Sequence, residues 1–330
     1  METRRIGGLE VSAIGFGCMS LSTAYGPAPP REEAEAVLEA ALDAGHTFFD
    51  TAAVYGMGQN ETLVGEVLGP RRHDYVLASK CGLTWGGKRV QDGRPHVLKA
   101  TCEESLSRLK TDVIDLYYLH RWDQRVPIEE CIGALAELKA EGKIREIGVS
   151  EVSAATLRRA HATHPIAAIQ SEYSPWTRNP ELGVLEACRD LGIAFVAFSP
   201  VARGLLAGSV KDPSDFDPGD LRVAMPRFIG EAFQANLGLY DAFAAIARNA
   251  GCTPAQLCLA WLLQKDTAIV PIPGTSSPSH LRENAAAAGV RLSEDIVRRL
   301  EATVNGETVT GSRYSAAAQA TVDTERMPGE

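Results

Sequence analysis

No stretch of the 330-residue chain approaches the ~18 uninterrupted apolar residues that a membrane-crossing helix needs. The first residues, Met1 to Gly8, include Arg4 and Arg5 but no apolar run of the kind a secretory signal carries. Basic residues are in deficit: 33 Lys and Arg stand against 42 Asp and Glu, for a net charge of −9. Broad binding of nucleic acid needs a basic surface, so that class is not expected, although a local basic pocket for a phosphate remains open. The seven cysteines are scattered and no two form a C-x-x-C pair, which argues against a disulfide framework or a zinc site. The expectation is a cytoplasmic, metal-free protein.

What is present is a long alternation of apolar runs and helical patterns. Arg4–Ile6 and Leu9–Val11 flank Gly7-Gly8 and read as a hairpin. Eight apolar strand candidates follow: Ile14–Gly17, His46–Asp50, Asp74–Ser79, Val113–Leu119, Ile144–Val149, Ile166–Gln170, Ile193–Phe198 and Ala268–Pro271. Helical patterns lie between or after them, at 31–44, 96–110, 128–141, 153–162, 181–191, 234–250, 253–265 and from Ser293 to about Thr303. In 31–44, Ala34, Val37, Leu38, Ala41 and Leu42 fall on one face. Strands that are apolar throughout are buried on both faces, hence parallel and covered by helices.

A doubly wound sheet and a (β/α)8 barrel both satisfy this pattern. The doubly wound dinucleotide fold opens on G-x-G-x-x-G, but Gly15-Phe16-Gly17 is followed by Ser20 where the third Gly belongs. The eight-fold count and the length favour an α/β (β/α)8 (TIM) barrel with an N-terminal hairpin. No shift in composition divides residues 1–330, which read as one domain. From Asn305 onward the chain is small and polar, and is expected to leave the barrel as a partly mobile tail.

Side chains at the carboxyl ends of barrel strands gather at one face, where active sites form. There the second candidate strand runs into Asp50-Thr51-Ala52-Ala53-Val54-Tyr55, the third into Lys80 and the fourth into His120. Each alone is commonly a cap, a solvated charge or a core-edge residue. Together they form an acid–base device. An ammonium lowers the pKa of a neighbouring phenol, a carboxylate holds the ammonium, and an imidazole bonds the oxygen being protonated. That set suits protonation of a carbonyl oxygen as hydride arrives from a cofactor.

With these residues, and with FFDTAAVYG (48–56), LASK (77–80), DLYYLH (115–120), QSEYS (170–174), FSPVARGLL (198–206) and IPGTSSPSHLRENAAA (272–287), the chain resembles the aldo-keto reductases over nearly its whole length. RFIGEAFQANL (227–237) and SRYSAAAQATVDTE (312–325) look closest to a microbial branch of that family. The resemblance implies an NADP(H)-linked oxidoreductase, with NAD(H) also open, acting on a small carbonyl or alcohol. It implies Tyr55 as proton donor, Lys80 lowering its pKa, Asp50 pairing with Lys80, and His120 orienting the carbonyl. It implies cofactor contacts from Met19, Ser150, Gln170 and Phe198, from the pyrophosphate loop Ser199, Pro200, Val201, Arg203, Gly204 and Leu206, and from Gly274, Thr275, Ser276, Ser277, His280, Glu283 and Asn284.

Two departures from the commonest family pattern carry expectations. Glu151 stands after Ser150 where many members have Asn. It is expected either near the carboxamide, favouring the oxidised cofactor, or pointing to solvent or pairing with Arg158 or Arg159. Thr275–Pro278 holds no basic residue, so His280, one helical turn from Asn284, is the expected partner of the 2′-phosphate ahead of Arg282. Tyr25, Trp85 and Trp122 are expected to line the substrate pocket. The rival reading from another class is a cofactor-sensing regulatory subunit on the same fold with little turnover.

Overall fold

The computed structural model describes residues 1–22, 24–85 and 89–327. Eight parallel strands form its centre: β1 (Phe16–Gly17), β2 (Phe48–Asp50), β3 (Val76–Cys81), β4 (Ile114–Leu119), β5 (Ile144–Ser150), β6 (Ala168–Glu172), β7 (Ala194–Phe198) and β8 (Ile269–Pro271). Each pairs with its sequence neighbours in order from β1 to β8. The ends then meet: Gly15 N donates to Pro271 O at 2.9 Å and Gly17 N to Pro273 O at 3.2 Å. The sheet is thus a closed (β/α)8 barrel, as the strand count and the resemblance lead one to expect.

The helices that cover it are α1 (Arg31–Asp43), α2 (Gln59–Leu68), α3 (Pro95–Leu109), α4 (Ile128–Ala140), α5 (Ala154–Thr163), α6 (Val184–Leu191), α7 (Gly230–Asn249), α8 (Pro254–Lys265), α9 (Pro278–Ala286) and α10 (Glu294–Thr303). Their ends follow local chemistry. Thr253 caps α8 through a capping box with Gln256, and Pro254 occupies the first turn, where its missing N–H costs nothing. In α1 the buried positions are Ala34, Val37, Leu38, Ala41 and Leu42, while Glu32 and Glu33 lie at the positive end of the helix dipole.

Side chains alternate along each barrel strand, and this alternation places the site. Phe48, Ala78, Leu116, Tyr118, Ala168, Ala194, Val196 and Val270 fill the barrel interior. Phe49, Leu77, Tyr117 and Phe195 instead join the outer core beneath the helices. Ile6 and Val11 of the N-terminal hairpin (Thr3–Ile6 and Leu9–Ser12) belong to the interior cluster. Gly148 on β5 makes room for Tyr118: a Cβ there would stand 2.3 Å from its ring. Continuing each inward row by one step of two residues gives Asp50, Lys80, His120, Ser150, Gln170 and Phe198.

Two features differ from the sequence reading. Helix α2, absent from the sequence reading, buries Leu63, Val64 and Leu68, but polar residues occupy the inner face of its first turn. Asn60 is buried and bonds Thr51 and Cys18 O, and Glu61 is buried against Ser79 and Arg108. The segment after Asn305 does not leave the barrel. It folds back over the end of β5, where Asp323 accepts from Ser153 N and Oγ, and Glu325 from Ala154 N. Among the described residues no helix is long and apolar enough to cross a membrane.

Candidate active site

A cleft of about 1180 Å³ opens at the carboxyl ends of the strands, with Asp50, Tyr55 and His120 on its wall. That exceeds the ~300–1,000 Å³ usual for one small ligand. Tyr55 lies beyond β2 in a short turn where Gly56 and Met57 both take positive φ, at 54° and 55°. Such backbone is easy for glycine and uncommon for methionine, and it folds the Tyr55 side chain back over the barrel mouth.

Lys80 joins the four groups. Its Nζ donates to Asp50 Oδ1, to Thr51 O at 2.8 Å and to Tyr55 OH at 3.3 Å. The second oxygen of Asp50 accepts from Gln170 Nε2 at 2.7 Å. His120 stands edge-on to Tyr55, with ring centroids 5.7 Å apart, and its Nδ1 has no hydrogen-bond partner among the described residues. Asp50, Tyr55, Lys80 and His120, which sequence places 70 residues apart at the extremes, are thus one contiguous cluster.

Burial and charge act in opposition here. Burial, the largest single influence, would push the Lys80 pKa down, but the Asp50 carboxylate and the Tyr55 oxygen together outweigh it and hold the lysine above its ordinary value. Burial first, then the charges of Arg121, Lys80 and Arg89, keep His120 well below the ordinary imidazole value, hence neutral. Tyr55 corrects a simple expectation. Burial raises its phenol pKa and the Lys80 ammonium opposes this without reversing it, so the net direction is upward.

The cofactor candidates divide. Met19, Gln170, Phe198, Ser199, Pro200, Val201, Arg203, Gly204, Gly274, Thr275, Ser276, His280, Glu283 and Asn284 all line the cleft. Ser150, Leu206 and Ser277 do not: Ser150 Oγ accepts from Arg121, Leu206 is packed in the outer core, and Ser277 caps α9. In the loop after β7, Ser199, Ala202, Arg203 and Gly204 have φ of 50°, 53°, 54° and 94°. Left-handed backbone of this kind turns N–H groups into an anion-binding concavity. Arg203 donates to Glu172 at 2.6 Å and to Tyr25 OH at 3.2 Å.

Of the pocket aromatics, Tyr25 lines the cleft and the two tryptophans do not. Trp85 is 51% exposed. Trp122 is turned to Val126 O through Nε1, with the Arg159 guanidinium over its ring. Glu151 neither faces solvent nor pairs with Arg158 or Arg159: its carboxylate is buried on Arg313. Arg158 and Arg159 pair elsewhere, with Asp190 and Glu129.

Cleft residues that sequence reasoning missed include Arg121, Arg89, Gln91, Tyr314 and Ala318. Arg121 had a signal, since it directly follows His120. Tyr314 and Ala318 lie in the 312–325 stretch that carries part of the resemblance, but nothing in its small, polar composition turns it toward the cleft.

These features have counterparts in known proteins. Residues 13–305 match the model of the aldo/keto reductase family. An aldo-keto reductase of Schizosaccharomyces pombe, Yakc, whose name specifies NADP(+), is 42% identical over 338 aligned positions covering 99% of both chains. The aldo-keto reductase Str7 of Strobilurus tenacellus is 41% identical over the same span of 99% of each. Among solved structures, a glycerol dehydrogenase from Gluconobacter oxydans superposes with a TM-score of 0.84 at 28% identity, over 91% of this chain and 94% of its own.

Proposed function

The chain belongs to the aldo/keto reductase family, and on that premise we propose that it is an NADP(H)-dependent oxidoreductase interconverting aldehydes or ketones with alcohols. The observation that carries this reading is the chain of contacts from Gln170 through Asp50 and Lys80 to Tyr55, with His120 against the Tyr55 ring, on the wall of one cleft.

The other arm of the cleft fits a dinucleotide. It offers the aromatic face of Phe198, the left-handed loop around Arg203, and the start of α9 with Ser276 and His280. Backbone N–H groups and a helix N-terminus are suited to phosphates. The name of the fission-yeast relative supports NADP over NAD. When bound, the nicotinamide supplies or accepts the hydride.

In reduction, the Tyr55 hydroxyl gives its proton to the carbonyl oxygen. Lys80, 3.3 Å from the phenol oxygen, stabilises the phenolate left behind. Asp50 keeps Lys80 charged and in place. The neutral imidazole of His120 offers an N–H to the same carbonyl oxygen without competing as an acid. In oxidation the Tyr55 phenolate takes the proton back.

The test is direct. Purified protein should consume NADPH with simple aldehydes, and Tyr55→Phe should bind NADPH normally while losing turnover. Absence of turnover across a broad panel of carbonyls and alcohols, with cofactor bound, would reject catalysis in favour of a sensing role.

A further inference from the structure

Among the described residues, five arginines line the cleft: Arg89, Arg121, Arg125, Arg203 and Arg222. Three are neutralised, Arg125 by Asp123, Arg203 by Glu172 and Arg222 by Asp220. Arg89 and Arg121 make no ion pair among the described residues. Arg121 commits Nη1 to His120 O at 2.6 Å and to Ser150 Oγ at 3.1 Å. Its Nε and Nη2 then have no acceptor among the described residues.

The position of these two cations separates them from the phosphate arm. Arg121 directly follows β4, and Arg89 belongs to the hairpin Leu83–Trp85/Arg89–Gln91 that follows β3. In the closed barrel, β3 and β4 lie opposite β7 and β8, whose loops form the cofactor arm. The acidic residues on the cleft wall are Asp50, already paired with Lys80, and Glu283 on the α9 side. The end of the cleft beside Tyr55 is therefore cationic in a chain of net charge −9. Both arginines lie near enough to His120 for their charges to weigh on its imidazole.

We propose that Arg121, half-buried, with Arg89 at the rim, forms an anion subsite, so that the favoured carbonyl substrates carry a carboxylate or phosphate group besides the reacting C=O. This rests on the reductase reading above. A guanidinium is a planar fork of donors that matches either anion, and its charge acts strongly in a partly desolvated wall. Arg89 is exposed, and its part is chiefly to draw anions toward the mouth. Anchoring through Nη1 to Ser150 and His120 holds the fork beside the reacting carbonyl.

The experiment compares matched pairs: benzaldehyde with para-carboxybenzaldehyde, and glyceraldehyde with glyceraldehyde phosphate. Wild type, Arg121→Gln, Arg121→Lys and Arg89→Gln are assayed with NADPH, and NADPH Kd is measured for each. The readout is the kcat/KM ratio of the charged to the neutral member. In wild type it should exceed one and fall as salt rises. In Arg121→Gln it should drop about 10- to 100-fold, the range of one or two charge-assisted bonds, chiefly through KM. Arg121→Lys should keep part of it. The pair with the larger ratio tells carboxylate from phosphate. An unchanged ratio in Arg121→Gln overturns the subsite. A loss of NADPH affinity as large as the loss for the charged substrate also overturns it, by assigning Arg121 to the cofactor. Should no aldehyde turn over, the reductase reading falls by itself. Calorimetric binding of para-carboxybenzyl alcohol to wild type and Arg121→Gln then decides the subsite alone.

Discussion

Arg313 and Glu151 form an ion pair sealed from solvent: Nη2 stands 2.8 Å from Oε2 and Nη1 3.3 Å from Oε1, with the side chains 2% and 0% exposed. Oε1 also accepts from Glu172 N at 3.1 Å, and Oε2 from Tyr314 OH at 3.3 Å. Glu151 itself takes a left-handed φ of 54° at the end of β5. The pair ties the C-terminal segment to the barrel beside the cleft, and Tyr314 comes to line that cleft.

Breaking one side of this pair leaves a buried charge, which costs about 3–5 kcal/mol unless the segment lifts and water enters. Arg313→Ala should therefore lower the urea midpoint and speed proteolytic cleavage between residues 313 and 325. Glu151→Met with Arg313→Met removes both charges and should recover much of the loss, because apolar replacement of a buried pair is often near neutral. Losses from Glu151→Met and Arg313→Met that simply add in the double variant, with no recovery, would show that the pair is not coupled.

Tyr55→Phe removes the only proposed proton donor and should reduce turnover by about 10²–10⁴-fold, the usual worth of general acid catalysis. Cofactor affinity, read by fluorescence titration, should stay near wild type. A variant with more than about a tenth of wild-type turnover is incompatible with the assignment. Lys80→Met should be comparably damaging. It also leaves Asp50 buried without its cation, so its turnover is compared per folded molecule.

The pH behaviour follows from the directions of two shifts. Burial raises Tyr55 above its ordinary value of ~10, so the phenol is protonated across about pH 6 to 9. Reduction consumes the phenol and its kcat/KM should be level over that range. Oxidation needs the phenolate and should climb close to tenfold per pH unit. Burial and neighbouring cations hold His120 well below ~6.5, so no acid limb is expected near that value. Initial rates in both directions check this. A fall in reduction centred near pH 6.5, or oxidation independent of pH, contradicts it.

The barrel was legible because strands buried on both faces leave unbroken apolar runs, and six of the site positions are the next inward residues on those same strands. Helix α2 was missed because polar, satisfied Asn60 and Glu61 take the buried face of its first turn, leaving only the short apolar set Leu63, Val64 and Leu68 to mark it. The fold-back of the tail rests on Arg313, Asp323 and Glu325, charged residues whose partners lie more than 160 positions away. Composition reads such a segment as solvated. Trp85 and Trp122 show a similar limit: loop spacing carries no period that says which way an aromatic ring turns.

The 2′-phosphate prediction turns on the first turns of α9. Thr275, Ser276 and His280 line the cleft, and Ser277 is occupied in capping the helix by accepting from His280 N. Arg282 is exposed and does not line the cleft, as expected for a residue two positions from the inward-facing Asn284. With no Lys or Arg between Thr275 and Pro278, His280 is the cleft-lining cationic candidate on this helix. A charge-assisted bond to a phosphate contributes about 1.5–3 kcal/mol, so His280→Ala should lose about 10- to 100-fold in NADPH affinity. NADH lacks the 2′-phosphate, and its affinity should barely move. Arg282→Ala should change neither. Fluorescence titration of the three proteins with both cofactors separates the possibilities. Parallel losses for NADPH and NADH in His280→Ala would mean that the residue supports the adenine or the helix start. A larger NADPH loss in Arg282→Ala would move the phosphate to the other face of the helix.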